Sequence, residues 1–415
     1  MRDIAGEGMC MTRDTDAVDD AGAVDTSAAG CAGSTGGVRM SGNIDVVVGA
    51  ADASVGGRDG VCDTTGSDAS GSASPHAERI RLRLAAWWEA NARDLPWRFG
   101  RATPWGVLVS EVMSQQTQMS RVVPYWTDWM ARWPDARALA AAPKAEVITA
   151  WGRLGYPRRA LRLQECARVV SADYADELPR TYDELTGLPG IGDYTASAVM
   201  SFAFGKRIAV IDTNIRRVLS RVFLGIESRG GAASPAERAL ANRMLPKDSE
   251  DSVVSVDDGP AVTRCGTGNA VAGNKGNGTV GHRTGRDDES GNGDTARRSV
   301  MWNQSVMELG AVVCTAKSPL CDACPVAGDC AFLKAGRPGL GERRTRPRQR
   351  FQGTDRQVRG LVLAALRGLP AGATLARVDA EKLWKDQVQL ASCIASLDDD
   401  GLVEMTQDGA LRLPR

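Results

Sequence analysis

The sequence predicts an all-α fold that ends in a small C-terminal module. Three observations predict it. Apolar residues recur at helical spacing from about Pro75 to Ile226, as in Ile80–Leu84–Trp87–Trp88, Leu139–Val147–Trp151 and Leu161–Cys166–Val169. Turn signals separate these runs at Asp94-Leu-Pro-Trp97, Thr103-Pro104, Trp133-Pro134, Leu154-Gly-Tyr-Pro157 and Leu188-Pro-Gly-Ile-Gly192. Strand-like alternation is nearly absent. Eight of the ten Trp fall between residues 87 and 151, where helix–helix packing is their simplest use.

The elements follow in order. Residues 1–76 read as an acidic, disordered tail: residues 1–75 hold twelve Asp/Glu against four Lys/Arg and little that can be buried. Residues 77–336 carry the helical pattern, interrupted at 247–298 by a Gly-, Asp-, Ser- and Thr-rich insertion that also reads as disordered. Helical pattern resumes at Arg298–Cys314. Residues 337–353 form a basic linker with six Arg between 337 and 350. Residues 354–415 give three short helical patterns and then two apolar runs around Asp408-Gly409, which suggests a winged-helix-like module.

Composition restricts the chemistry. The whole chain is formally neutral, with 51 basic and 51 acidic residues, yet both low-complexity stretches are acidic. The folded remainder is therefore basic, which suits a polyanionic partner such as nucleic acid. The two histidines, His76 and His282, lie at or within the low-complexity stretches. Histidine-based triads, dyads and zinc sites are thereby disfavoured, and acid–base work falls to carboxylates, Lys, Tyr or Cys. No apolar run is long enough to span a membrane and the N-terminus shows no signal-peptide core, so a reducing cytoplasm is expected. Clustered cysteines there read as metal ligands rather than disulfides. Cys166 and Cys393 stand alone in apolar helical patterns and read as buried thiols.

The clustered four are Cys314, Cys321, Cys324 and Cys330, spaced C-x6-C-x2-C-x5-C. Four thiolates close together on irregular backbone suit a 4Fe-4S cluster. Zinc is the alternative, although its structural sites more often pair two C-x2-C units. The loop after Cys314 carries Lys317, placed to meet a phosphate. Upstream, Gly190 and Gly192 permit close backbone approach just before a helix start, a sequence-independent phosphate grip; an ordinary helix–helix turn is the alternative.

Two carboxylates sit in unlike settings. Glu111 lies inside an apolar helix that starts at Thr103-Pro104; burial there favours its neutral form and makes it a candidate general acid. A hydrogen-bonded or surface Glu is the plainer reading. Asp212 follows the apolar run Ile208–Ile211 and precedes Thr213-Asn-Ile, an N-cap position whose N–H donors and dipole favour the ionised form. One protonated and one charged carboxyl is the division of labour that glycosidic cleavage needs.

Taken together, Leu188-Pro-Gly-Ile-Gly-x-x-Thr195, Val210-Ile-Asp-Thr-Asn-Ile215 and the cysteine quartet resemble the helix-hairpin-helix glycosylases with an iron–sulfur cluster. Ser110-Glu-Val-Met-Ser-Gln-Gln-Thr-Gln118 is similar to the MutY-like adenine DNA glycosylases of that superfamily, as are Trp97-Arg, Pro104-Trp and Trp151-Gly-Arg-Leu-Gly-Tyr156. The resemblance covers roughly residues 78–335 without the insertion. It implies a two-lobed fold, with a six-helix lobe at about 104–212 and a cluster lobe at about 77–103 and 213–336. It implies a base-excision repair enzyme, probing double-stranded DNA as a monomer, that removes adenine mispaired with 8-oxoguanine or guanine. By the resemblance, Glu111 protonates adenine and Asp212 stabilises the oxocarbenium-like sugar, with a transient covalent bond as one form of that stabilisation. Tyr194 and Asn214 support these groups. Gln115, Gln116 and Thr117 line a lesion-facing wedge, Tyr156 enters the stack near the estranged base, and Leu188, Gly190 and Gly192 form the hairpin. Tyr194 stands where lyase-active relatives carry a Schiff-base Lys, so a monofunctional hydrolase is expected. Residues 350–415 are too short for the Nudix-like domain of many family members. A thymine or oxidised-pyrimidine glycosylase and a non-catalytic, DNA-binding redox sensor are the alternatives.

Overall fold

The computed structural model describes residues 74–228, 231–247, 290–342 and 351–415. The expected acidic tail up to residue 73, residues 248–289 of the expected insertion and residues 343–350 of the linker lie outside them.

Helix α1 (Pro75–Asn91) begins on a proline, whose missing N–H is no loss in a first turn. α2 (Pro104–Ser114) starts the same way, with Thr103 Oγ1 accepting from Gly106 N. Its residues from Trp105 to Met113 are all buried. α3 (Met119–Arg132), α4 (Ala136–Ala141), α5 (Lys144–Trp151), α6 (Arg158–Asp173) and α7 (Tyr182–Gly187) wrap around it, and α8 (Asp193–Phe202) closes the bundle. Trp129 meets Trp133 and Trp151 edge-on, with centroids 4.7 and 5.6 Å apart, the arrangement ring quadrupoles favour. The tryptophans of 88–151 are thus core residues, as their helical spacing suggests.

A second core forms from α1, α9 (Thr213–Leu219), α10 (Pro235–Met244) and α11 (Ser290–Val312), through Ile80, Leu84, Ile215, Val218, Leu240, Trp302, Val306 and Leu309. α8 belongs to both cores: Ala196 and Val199 face the first, Ala198 the second. The two carboxyl-bearing segments therefore meet along this shared helix. A π-helical turn, Ser220–Leu224, continues α9 and packs against the short α12 (Ala331–Lys334) that follows the cysteine region.

Two boundaries differ from the sequence reading. Leu95 and Trp97, assigned to the cluster lobe by position, pack in the first core. The insertion is shorter than 247–298: α11 starts at Ser290, with Thr295 and Ser299 buried. Ser-Gly-Asn-Gly-Asp has poor helix propensity, but the docked face downstream carries the helix back through it.

At the C-terminal end, α13 (Asp355–Arg367), α14 (Arg377–Glu381) and α15 (Gln387–Asp399) precede an antiparallel hairpin of β1 (Glu404–Met405) and β2 (Leu411–Arg412). Their core of Val358, Val362, Leu366, Leu390, Leu397 and Leu402 also takes in Ile148 from α5. No helix among the described residues is long and apolar enough to cross a membrane.

Candidate active site and cluster loop

Between the two cores lies a cleft of about 1070 Å³, lined among others by Arg98, Val107, Glu111, Gln118, Met119, Tyr194, Asp212, Asn214, Gln304 and Met307. Both predicted carboxyls are on its wall. Glu111 sits inside α2, three residues before its end, only 7% exposed, and its Oε2 accepts a 2.6 Å hydrogen bond from the Tyr194 hydroxyl. Every backbone N–H around it is spent on the α-helical ladder. Burial accordingly raises its pKa from 4.5 to about 7, with the Asp212 charge adding and the Tyr194 bond and Arg98 opposing. The same burial raises the Tyr194 phenol well above its usual value, so it stays a donor.

Asp212 is the N-cap of α9: Oδ1 accepts from Ile215 N at 2.6 Å and Oδ2 from Asn214 Nδ2 at 2.8 Å. The cap does not act alone, which corrects the sequence reading. Burial raises the Asp212 pKa, while the backbone donors, Asn214 and the nearby Arg217 pull it back. Asn214 is itself braced, its Oδ1 accepting from Arg217 Nη2 at 2.8 Å. Gly310 of α11 passes so close that a Cβ there would lie 2.7 Å from Asn214 Cβ and 3.0 Å from its carbonyl oxygen. Only glycine lets α11 approach the first turn of α9 this closely.

Arg98, which the sequence reading noted only within the Trp97-Arg motif and gave no role, lines the cleft. With Arg93 it pairs the fully buried Glu308 at 2.8 and 2.5 Å, and its guanidinium lies 4.7 Å from the Trp88 ring centroid. Glu308 is 210 residues away from Arg98 in sequence, beyond any local signal.

The DNA-facing candidates divide. Gln116 and Tyr156 are exposed and both have positive φ, +55° and +47°, a strained state for residues with a Cβ that concentrates at functional loops. Thr117 lines the cleft and donates to Leu154 O at 3.1 Å, while Gln115 is turned to Thr195 Oγ1 at 3.4 Å and does not line it. Gly190 (φ +78°) and Gly192, the N-cap of α8, form the hairpin; a Cβ on Gly190 would lie 2.9 Å from Arg162 Cβ. Leu188 requires correction: its side chain is 3% exposed in the first core, so it anchors the hairpin rather than offering a contact. Lys317 is exposed on the loop after Cys314.

Cys314, Cys321, Cys324 and Cys330 line one further cavity, together with Val222, Leu309, Val313, Phe332 and Arg221. No three His, Cys, Asp or Glu among the described residues are gathered tightly enough for a single ion. A cubane needs thiolates spread around a larger body in an apolar shell, and this wall fits that donor set. The thiols feel one another: Cys324 is pushed up to about 11 by burial and by the other three, a repulsion that bound iron removes. Arg221, 1% exposed, donates to Cys314 Sγ at 3.4 Å, and Arg217 donates to Cys314 O at 2.8 Å. Their spacing of four residues on one helical face, just after the Asp212 cap, was the available signal for both.

Two carboxyls lining one helical cleft, a glycine hairpin and a four-cysteine loop define a helix-hairpin-helix DNA glycosylase with an iron–sulfur centre. Residues 109–242 match the HhH-GPD superfamily of base excision DNA repair proteins, and residues 314–330 the iron–sulfur binding domain of endonuclease III. An adenine DNA glycosylase of Mycolicibacterium smegmatis is 40% identical over 80% of this chain and 95% of that protein. One from Mycobacterium tuberculosis is 39% identical over 80% and 92%, and one from Homo sapiens is 36% identical over 60% of this chain and 39% of that protein. The structure of a thermostable thymine-DNA glycosylase aligns with 63% of this chain and 97% of that chain, at 24% identity and a TM-score of 0.47. The chain belongs to the adenine DNA glycosylase family. It is a base-excision repair enzyme, a hydrolase of N-glycosyl bonds, and carries a 4Fe-4S cluster.

Proposed function

We propose that this chain hydrolyses the N-glycosidic bond of adenine mispaired with 8-oxoguanine or guanine in duplex DNA, acting as a monomer and without lyase activity. The observation that carries this reading is the pair of carboxyls on one cleft wall, one held near neutrality and one capped by N–H donors. Adenine is flipped into the cleft. Glu111 gives its proton to a ring nitrogen, and the C1′–N bond breaks with its electron pair leaving on adenine. The cationic sugar forms beside the Asp212 carboxylate, whose orientation Asn214 fixes. Water then adds to C1′, and the proton it sheds restores Glu111. The products are free adenine and an abasic site. Tyr194 holds Glu111 by a hydrogen bond, and its phenol offers no amine for a Schiff base.

Cys314, Cys321, Cys324 and Cys330 hold the cluster, which when bound supplies a rigid frame for the loop bearing Lys317. Gln115 positions the neighbouring Gln116 and Thr117, which face the DNA with Tyr156. Gly190, Gly192 and Lys317 take phosphates, and Leu188 acts only by packing under the hairpin.

The test is base release under enzyme excess from duplexes carrying adenine opposite 8-oxoguanine, guanine, cytosine or thymine, and thymine opposite guanine. Adenine is released from the first two, with strand breakage only after alkali, and Glu111→Gln releases it about 10²–10⁴-fold more slowly. An intact adenine·8-oxoguanine duplex alongside release from another pair overturns the assignment.

A further inference from the structure

The C-terminal module is docked on the part of the first core that presents Tyr156. Ile148 of α5, fully buried, is a member of the module's own core. Arg367, the last residue of α13, donates to Ile148 O at 3.1 Å and to Gly152 O at 2.7 Å, so the turn between α5 and α6 is tied to the module. Arg158 pairs with Asp400 at 3.2 Å. On the other side of that turn, Arg159 donates to Gln115 O, Val112 O and Gly155 O at 2.6–3.1 Å, joining it to the end of the helix that bears Glu111. Two guanidiniums stand over the Tyr156 ring, each 5.6 Å from its centroid: Arg159 from α6 and Arg356 from α13. The ring is 50% exposed and its backbone has positive φ, so without these braces little would hold its direction.

We propose that the module positions Tyr156 through Arg356 and Arg367, and so sets discrimination of the base opposite adenine. Arg356 is a positioning residue acting through the ring. This rests on Tyr156 meeting the estranged base. A module that cannot be a Nudix-like domain thus acts on the opposite-base side by bracing a residue of the catalytic lobes.

The test uses the full chain with Arg356→Ala, in wild-type, Tyr156→Phe and Tyr156→Ala backgrounds. Affinity for duplexes with adenine opposite 8-oxoguanine or guanine is measured at several salt concentrations, alongside single-turnover excision. Arg356→Ala is expected to shrink the ratio of the two affinities by about two- to fivefold, the size of one exposed cation–π contact. That loss exceeds any loss of rate at saturating enzyme. It persists with Phe at 156, which keeps the ring, and vanishes with Ala. The salt dependence keeps its slope, whereas loss of a phosphate contact would lower it by about one. An effect of Arg356→Ala that persists undiminished with Tyr156→Ala, a reduced salt slope, or an unchanged ratio overturns the proposal. If Tyr156→Ala itself leaves the ratio unchanged, the underlying reading of Tyr156 fails; if the wild type releases no adenine from either duplex, the proposed function fails.

Discussion

Glu111 and Asp212 carry the same functional group to the same cleft, from opposite kinds of backbone. Glu111 projects from within a buried helix, three residues before its end, and has one neutral donor, the Tyr194 hydroxyl. Asp212 stands at a helix start, where Ile215 N and the Asn214 amide both give it hydrogen bonds. Burial within a helix makes ionisation costly, and a helix N-terminus relieves much of that cost. Position along a helix thus gives the two carboxyls unlike hydrogen-bonding surroundings, while burial raises the pKa of both.

The strongest way to break the comparison is Glu111→Gln. It keeps the shape and removes the transferable proton, so single-turnover excision falls by about 10²–10⁴-fold while DNA affinity is retained. Asp212→Asn keeps an acceptor oxygen for the Ile215 N–H cap, sets an NH2 against the Asn214 amide and removes the charge opposite the forming cation. Excision then falls by about 10²–10³-fold, and a rate near wild type would show that Asp212 only caps its helix.

Glu111→Gln also has an opposite effect on stability. In the unfolded chain Glu111 ionises near 4.5, and in the fold near 7. Between these values the native state holds the extra proton, so stability falls as pH rises through this window and stays lower above it. Glu111→Gln removes that loss. Denaturant titrations should find the variant as stable as wild type at about pH 4 and more stable at about pH 8, by up to about 3 kcal/mol. A smaller effect comes from Gly310→Ala. Its methyl meets backbone of Asn214, so the first turn of α9 must shift. Excision should slow by roughly tenfold or more with the helical circular dichroism unchanged.

Much of this site is written locally. The cysteine spacing, the Thr103-Pro104 start that sets Glu111 inside α2 and the Asp212 cap need only a few neighbouring residues each. What the sequence hid is non-local. Arg98 and Glu308 are paired across 210 residues, and the Gly310–Asn214 approach depends on how α11 lies over α9. Leu188 misled because a residue within a DNA-binding motif can serve it entirely from below. The start of α11 was missed because its Gly- and Asp-rich first turns match the composition of a loop, and packing outweighs propensity there. The docking of α13 on α5 had no sequence signal, since Ile148 reads like any other core isoleucine of the first lobe.

The difference between the two carboxyls is most directly tested by the pH dependence of single-turnover excision on an adenine·8-oxoguanine duplex. The rate should decline as pH rises through about 7, where Glu111 loses its proton. In Tyr194→Phe, which removes a hydrogen bond that favours the ionised form, the decline should move to higher pH. A rate that stays level or rises from about pH 6 to about pH 9 would contradict Glu111 as the proton donor.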